Sequence, residues 1–453
     1  MRRLAALLVP AALATCGPHA HPVTLATPTP GAATPAASPI ALVHASLWGA
    51  AGGSRISDAT IVVKDGRIVA VGGPATPVPE GVGIVDVGGK IVTPGIIDAH
   101  SHIGVYPSPS IEATQDGNEM TDPVTPHVDA QYSIWPQDPN IYRVLQNGGT
   151  TTSLILPGSG NLIGGRGVLI HDIPATTVRE LKIPGAPPAL KMACGENPKR
   201  VYGGEKKQFP MTRMGNYAGY RAAFQQATEY RKKWDEFRKK KSAGDPPAKD
   251  LKMETLMGVL NGEILVQNHC YKAEEMMQMI ELGDEFGFKI RAFHHALEAY
   301  KIRDVLAKRE IAVATWADWW GFKLEAWDGI PQNAALVHEA GARAVIHSDS
   351  AMGAQHLNQE AAKAMAYGVR AGIPLSEDDA LKWITANPAW LVGMEKDLGS
   401  VEKGKYGDLV VWSGNPLSVY SRPEQVFVAG ERVFDRSDPK RQPRSDFEAG
   451  VTR

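Results

Sequence analysis

Residues 94–102 read Pro-Gly-Ile-Ile-Asp-Ala-His-Ser-His, which sets His100 and His102 two apart at the end of a short apolar run. In an extended strand residues i and i+2 face the same side, so two imidazoles there converge on one point, as two ligands of a metal ion do. The same spacing recurs at His19 and His21 in a proline- and alanine-rich stretch, so spacing alone makes no site. The remaining ligands must come from elsewhere, and four further apolar runs end in suitable residues. "MACGE" ends in Glu196, "EILVQNH" in His269, "FKIRAFHH" in His294 and His295, and "AVIHSD" in Asp349. Imidazole and carboxylate suit zinc or a neighbouring divalent first-row ion. The set suffices for one ion, or for two sharing a bridging carboxylate. An ion there lowers the pKa of bound water to about 7 and polarises a carbonyl, and Asp349 is the expected general base.

Positioning such a set needs elements that all end on one side. Between residues 94 and 395 strand-like runs alternate with helical patterns such as "AEEMMQMIELGDEFG", which implies a parallel sheet with crossover helices. The length fits a (β/α)₈ barrel, whose chemistry sits at the C-terminal ends of its strands, with a charged helical insertion at about 203–257. Residues 40–93 carry short alternating runs, two of them joined by Asp65-Gly66, a strong hairpin signal. The texture returns at 396–436. Both ends of the chain are therefore expected to build one small composite β-sandwich domain, followed by a flexible tail at 437–453.

The chain has 453 residues, 43% hydrophobic and 21% charged, with a net charge of −1. That is an ordinary globular balance, and it predicts no nucleic-acid or anionic-membrane binding. The run "YRKKWDEFRKKK" (230–241) reads as a solvated helix face. Residues 1–16 have two arginines, an apolar stretch and a cysteine, the form of a signal peptide. The expectation is export to the periplasm, or a lipid anchor at Cys16 in a bacterial envelope. A disordered Pro/Ala/Thr tether follows at 17–39. Cys194 and Cys270 do not make a disulfide framework and read as small buried apolar residues.

Six motifs together resemble the amidohydrolase superfamily, in its imidazolonepropionase-like and prolidase-like branch. They are "PGIIDAHSH" (94–102), "NGGTTTSLILPGSGNLIGG" (147–165), "HHALEAYK" (294–301), "VIHSDS" (345–350), "ITANPAWLVG" (384–393) and "GSVEKGKYGDLVVW" (399–412). They run through nearly all of 42–435. The resemblance implies a barrel with a composite β domain, one or two divalent metal ions, and hydrolysis at an amide, lactam or similar carbon centre. It assigns His100, His102, His269, His295 and Asp349 as ligands, with His295 preferred to His294 by the register of the motif. For the bridge, many relatives use a carboxylated lysine, and Lys191 is the alternative here. Glu196, standing past the strand end with the other ligands, is favoured.

Asn161, in the glycine-rich loop "GSGNLIGGRG" (158–167), and Arg213, Tyr202 and His356 are candidates for touching a small-molecule substrate. Trp316, Trp319 and Trp320 are candidates for the mouth of the site. The expected activity is hydrolysis of a dipeptide, an N-acyl amino acid or a cyclic amide. The alternatives are a deaminase and an exported binding protein that keeps the fold without the chemistry. A deaminase of this superfamily usually carries a glutamate three residues after the fifth-strand histidine, where this chain has Lys272.

Overall fold

The computed structural model describes residues 38–49, 51–240 and 244–442. The signal-like segment, the tether up to residue 37, Cys16 and the end of the tail lie outside them. No helix among the described residues is long and apolar enough to cross a membrane.

Asp65 and Gly66 both have positive φ, 52° and 77°, as a two-residue hairpin turn with the right twist requires. The turn joins β2 (Arg55–Lys64) to β3 (Arg67–Gly72), and β2 pairs antiparallel with β1 (Ile40–Trp48). β4 (Gly83–Asp86) and β5 (Ile91–Pro94) run parallel to β1.

The chain then enters a second sheet of eight strands, hydrogen-bonded in chain order. These are β6 (Ile96–Ser101), β7 (Thr150–Ile155), β8 (Ile163–His171), β9 (Ala189–Ala193), β10 (Leu265–Cys270), β11 (Ile290–His295), β12 (Ala312–Thr315) and β13 (Ala344–Ile346). The last strands β14 (Leu409–Trp412), β15 (Pro423–Val428) and β16 (Glu431–Asp435) return to the first sheet, where β14 lies antiparallel to β5. The first sheet is thus assembled from both ends of the chain, around buried Leu42, Leu47, Ile61, Val92, Leu409 and Phe427.

The eight-stranded sheet is nearly closed. Where β13 meets β6, the Asp349 N–H donates to the His100 carbonyl at 3.0 Å, and the Ser348 N–H donates to Asp98 Oδ1 at 3.1 Å. Helices pack outside it, including Arg213–Lys239, Leu251–Leu260 and Ala273–Phe286. Alternation along the strands separates the two faces. Leu190, Met192, Val266 and Phe293 join the outer core with Phe224, Met276 and Met279, while Lys191, Gln267 and His294 fall on the intervening positions.

One strand departs from the expected all-parallel barrel. β8 is antiparallel to both β7 and β9. Only residues 156–162 connect β7 to β8, too few for the crossover of a dozen or more residues that a parallel pair needs. Part of the glycine-rich loop is therefore strand rather than loop. Gly165 sits at φ 119°, and a Cβ there would lie 2.5 Å from the Val128 side chain.

Cys194 and Cys270 are buried as expected, but they are bonded to each other, with Cα atoms 5.3 Å apart. Residue spacing hides this pairing, because 76 residues separate two positions that parallel pairing of β9 with β10 brings side by side.

Candidate metal centre

His100 is fully buried on β6, and His102 follows just beyond the strand end. Around His100 stand His294, His295, His347 and His102, with ring centroids 4.8, 4.9, 5.1 and 5.1 Å away. His269 meets His295 edge-on at 4.5 Å. His294 and His295 are sequence neighbours and would face opposite sides of a regular strand. His295 has φ 68°, in the left-handed region that a non-glycine residue enters at a cost. That break in the alternation lets both rings reach the same cluster. Asp349, at φ 54°, closes it from the end of β13. Its Oδ1 lies 3.1 Å from His102 Nε2 and 3.4 Å from His100 Nε2, and its Oδ2 lies 3.9 Å from His295 Nδ1.

Lys191 is the residue on β9 that joins this group. It is buried, with Nζ 3.0 Å from His100 Nε2, and burial brings its pKa down to about 8, opposed by the charge of Asp349. The preference for Glu196 does not hold on geometry. Glu196 opens a short helix past the strand, its N–H donates to Glu325 at 2.9 Å, and its half-exposed carboxylate lies 3.7 Å from Lys323. Neither Glu196 nor His269 falls in the metal-compatible groups among the described residues, which are His100, His295 and His347, and His100, His102 and Asp349, each with ligand atoms within 4.8 Å of one another. Lys191 is long enough to reach the cluster from within the strand, with Nζ against His100.

His347 is the member that sequence reasoning left out, and His294 the one it passed over for His295. His347 stands two residues before Asp349, the same i, i+2 relation that marks His100 and His102, so the signal was present.

The donor set fits a divalent ion on two observations. First, both ring nitrogens of His269 and of His347, and Nδ1 of His295, are buried without a hydrogen-bond partner, a costly condition for polar atoms that coordination relieves. Second, His102 Nδ1 lies 2.8 Å from the Leu156 carbonyl oxygen. A carbonyl only accepts, so Nδ1 carries a hydrogen and Nε2 is the nitrogen left facing the carboxylate of Asp349. Two acceptors so placed require a cation or an extra proton between them.

Burial pushes His100, His269, His294 and His295 well below the ordinary imidazole range, helped by neighbouring positive charge, and takes His347 down to about 3. These rings are neutral, the state in which imidazole ligates. Burial raises the Asp349 carboxyl, but its contact with His102 and nearby positive charge, that of Lys191 included, outweigh this and hold it below the usual range.

The mouth is aromatic. Trp316 stacks on His295 at 4.4 Å and 22°, Tyr271 stacks on the same ring at 5.1 Å, and Trp319 adjoins Trp316 at 5.3 Å. Trp319 and Trp320 are exposed.

The proposed substrate contacts fare differently. Asn161 is buried and fully engaged. Its Nδ2 donates to the carbonyls of Glu119 and Asp122 and to Thr125 Oγ1, and its Oδ1 accepts from Tyr202. Asn161 and Tyr202 thus pin the 119–125 loop and leave no hydrogen-bonding group facing a substrate. Arg213 lies 3.3 Å from Glu275 at the start of an outer helix. His356 is exposed before the helix Leu357–Arg370, with Nδ1 3.5 Å from Gln359 Nε2.

An α/β barrel with these residues at one end belongs to a recognisable class. The model of the Amidohydrolase family matches residues 259–435. The amidohydrolase from Thermotoga maritima MSB8 superposes with a TM-score of 0.80 at 38% identity, over 88% of this chain and 100% of that one. Amidohydrolase tasK of Hapsidospora irregularis is 37% identical over 397 residues, 83% of this chain, and the chain spans 40% of that relative's length. Imidazolonepropionase of Legionella pneumophila (strain Corby) is 40% identical over 65 residues, 13% of this chain and 16% of that protein. The chain belongs to the amidohydrolase family.

Proposed function

We propose that this amidohydrolase is a metal-dependent hydrolase of amide-type carbon–nitrogen bonds, acting on a dipeptide, an N-acyl amino acid or a cyclic amide, with Asp349 as general base. The observation that carries the reading is His102 Nε2 facing Asp349 Oδ1 at 3.1 Å beside the buried imidazoles of His100, His269, His295 and His347. His100, His102, His269, His295 and Asp349 would hold the metal, zinc by the chemistry of the donors. His347 is a further imidazole in reach. Lys191 would supply the bridge once its neutral amine adds carbon dioxide to give a carbamate and a proton.

A bound divalent ion supplies Lewis acidity toward water and carbonyl oxygen. Asp349, held ionised by its neighbours, takes the proton of the attacking water and delivers it to the departing nitrogen. The carbon–nitrogen bond breaks with a carboxylate and an amine as products. Tyr271, Trp316 and Trp319 shield the reacting end from bulk water. The deaminase alternative is weakened by Lys272, whose ammonium lies 2.5 Å from Glu298 where that chemistry wants an acid.

The chain is read as exported, with the Cys194–Cys270 disulfide in support, since such bonds persist in oxidising compartments. Metal analysis of the purified protein tests the reading, followed by a screen of dipeptides, N-acyl amino acids and cyclic amides. Metal-free protein that stays inactive when zinc is supplied, or release of ammonia as the only amine from simple amino-heterocycles, would overturn it.

A further inference from the structure

His100 belongs to both groups of side chains able to share an ion, yet the atom behind it is another imidazole, His294 Nδ1, 3.0 Å from His100 Nδ1. One of these nitrogens must donate and the other accept, and the choice decides whether His100 Nε2 is a ligand or an N–H. The polarity can be read from the far end of the chain of contacts. The Leu391 carbonyl, at the end of the helix Ala386–Leu391, can only accept. It takes Arg291 Nε–H at 3.3 Å and Gln267 Nε2 at 3.4 Å, which fixes the amide of Gln267 with its oxygen pointing the other way. That oxygen lies 2.8 Å from His294 Nε2, so His294 carries its hydrogen on Nε2. As a neutral ring, His294 then has its lone pair on Nδ1 and accepts from His100 Nδ1–H.

We infer that Gln267 and His294 are positioning residues that set the tautomer of His100, leaving its Nε2 lone pair aimed at the metal position before any ion arrives. Lys191 is compatible from the other side: its Nζ lies 3.0 Å from His100 Nε2, and as an ammonium it can only donate there. His102 reaches the same state in one step, through the Leu156 carbonyl. Metal-bound histidines ordinarily donate their second N–H to a carboxylate, carbonyl or water. Here the hydrogen bond passes through a second imidazole and an amide to the floor of the barrel. Lys191, Gln267 and His294 sit on neighbouring strands β9, β10 and β11, and all three are buried, so the relay is shielded from solvent.

The inference rests on the proposed metal site but is tested apart from it, by two-bond ¹H–¹⁵N correlation spectra of metal-free protein labelled at histidine. The expected pattern is His100 protonated at Nδ1 and His294 at Nε2. Gln267→Met removes the acceptor and should give His100 a mixed tautomer, with zinc affinity down by about 10–100-fold against a chelating dye. Gln267→Glu keeps an acceptor toward His294 and should keep the wild-type tautomer. A wild-type His100 protonated at Nε2, a doubly protonated His294, or Gln267→Met with wild-type spectra and zinc affinity would each overturn the relay. Wild-type protein that takes up no zinc while showing the expected tautomers would instead overturn the metal reading and leave the relay standing.

Discussion

His102 Nε2 and Asp349 Oδ1 face each other at 3.1 Å with no hydrogen assigned between them once the Leu156 carbonyl has claimed the proton on Nδ1. The contact is repulsive unless a metal ion or an extra proton lies between the two. Much of the site's behaviour should follow from that sign change.

Asp349→Asn replaces one acceptor with an amide whose N–H₂ can donate to His102 Nε2. The variant should bind zinc more weakly than wild type, so added zinc should raise its melting temperature by less. Hydrolysis should fall by about 10²–10⁴-fold, the usual worth of a positioned base. Thermal melts with and without zinc, together with kcat on the substrate found by screening, check both halves. Wild-type turnover in the variant would remove Asp349 from the role of base.

Lys191 and Glu196 can be separated in the same way. Lys191 lies against His100, whereas Glu196 lies toward Lys323. Lys191→Ala should lose most bound metal and activity, with short carboxylic acids offering partial rescue in the vacated space. Glu196→Gln should stay within about threefold of wild type. Intact mass of the native protein should show one added carbon dioxide that Lys191→Ala lacks. Equal losses in the two variants would count against Lys191 as the bridge.

Much of this was legible in the sequence for a physical reason. Strand ends are marked by the change from apolar to polar residues, so His100, His102, His269 and Asp349 stand out. What failed to show was anything decided by reach or by backbone exception. Lys191 sits mid-strand and is long enough to extend to the cluster. His294 and His295 both join because one left-handed residue breaks the alternation. β8 runs backwards because its connection is short. The disulfide depends on strand adjacency, which no local pattern encodes.

That disulfide ties the end of β9, three residues beyond Lys191, to the end of β10, one residue beyond His269. Closing a loop of this length restricts the unfolded chain by about 4.5 kcal/mol in the entropy model, of which about 2–4 kcal/mol is commonly realised. The Cys194→Ala, Cys270→Ala double variant should therefore unfold at lower urea by that amount. Because the bond is buried, a thiol reductant added to the native wild type should leave its melting temperature unchanged over minutes. An equally stable double variant would show that the bond contributes nothing to the fold.

Asp172 offers a pH test away from the metal. It is fully buried at the end of β8; Ser153 Oγ donates to its Oδ2 at 2.8 Å, while Oδ1 has no partner. Burial, with a smaller push from the charge of Asp98, raises its pKa well above the ordinary carboxylate value despite the Ser153 bond. The folded state therefore keeps this proton to higher pH than the unfolded chain does, where the pKa is about 3.9. Between those two values the native protein binds more protons, so this group makes stability fall as pH rises, and its penalty is complete only above the folded pKa. Asp172→Asn removes the titration and keeps an acceptor for Ser153. Relative to wild type the variant should gain stability steadily from pH 4 toward pH 8, by about 1.4 kcal/mol for each pKa unit of the shift, read from urea midpoints at fixed zinc. A difference that is flat across that range, or that shrinks as pH rises, would mean that Asp172 is not held protonated in the folded state.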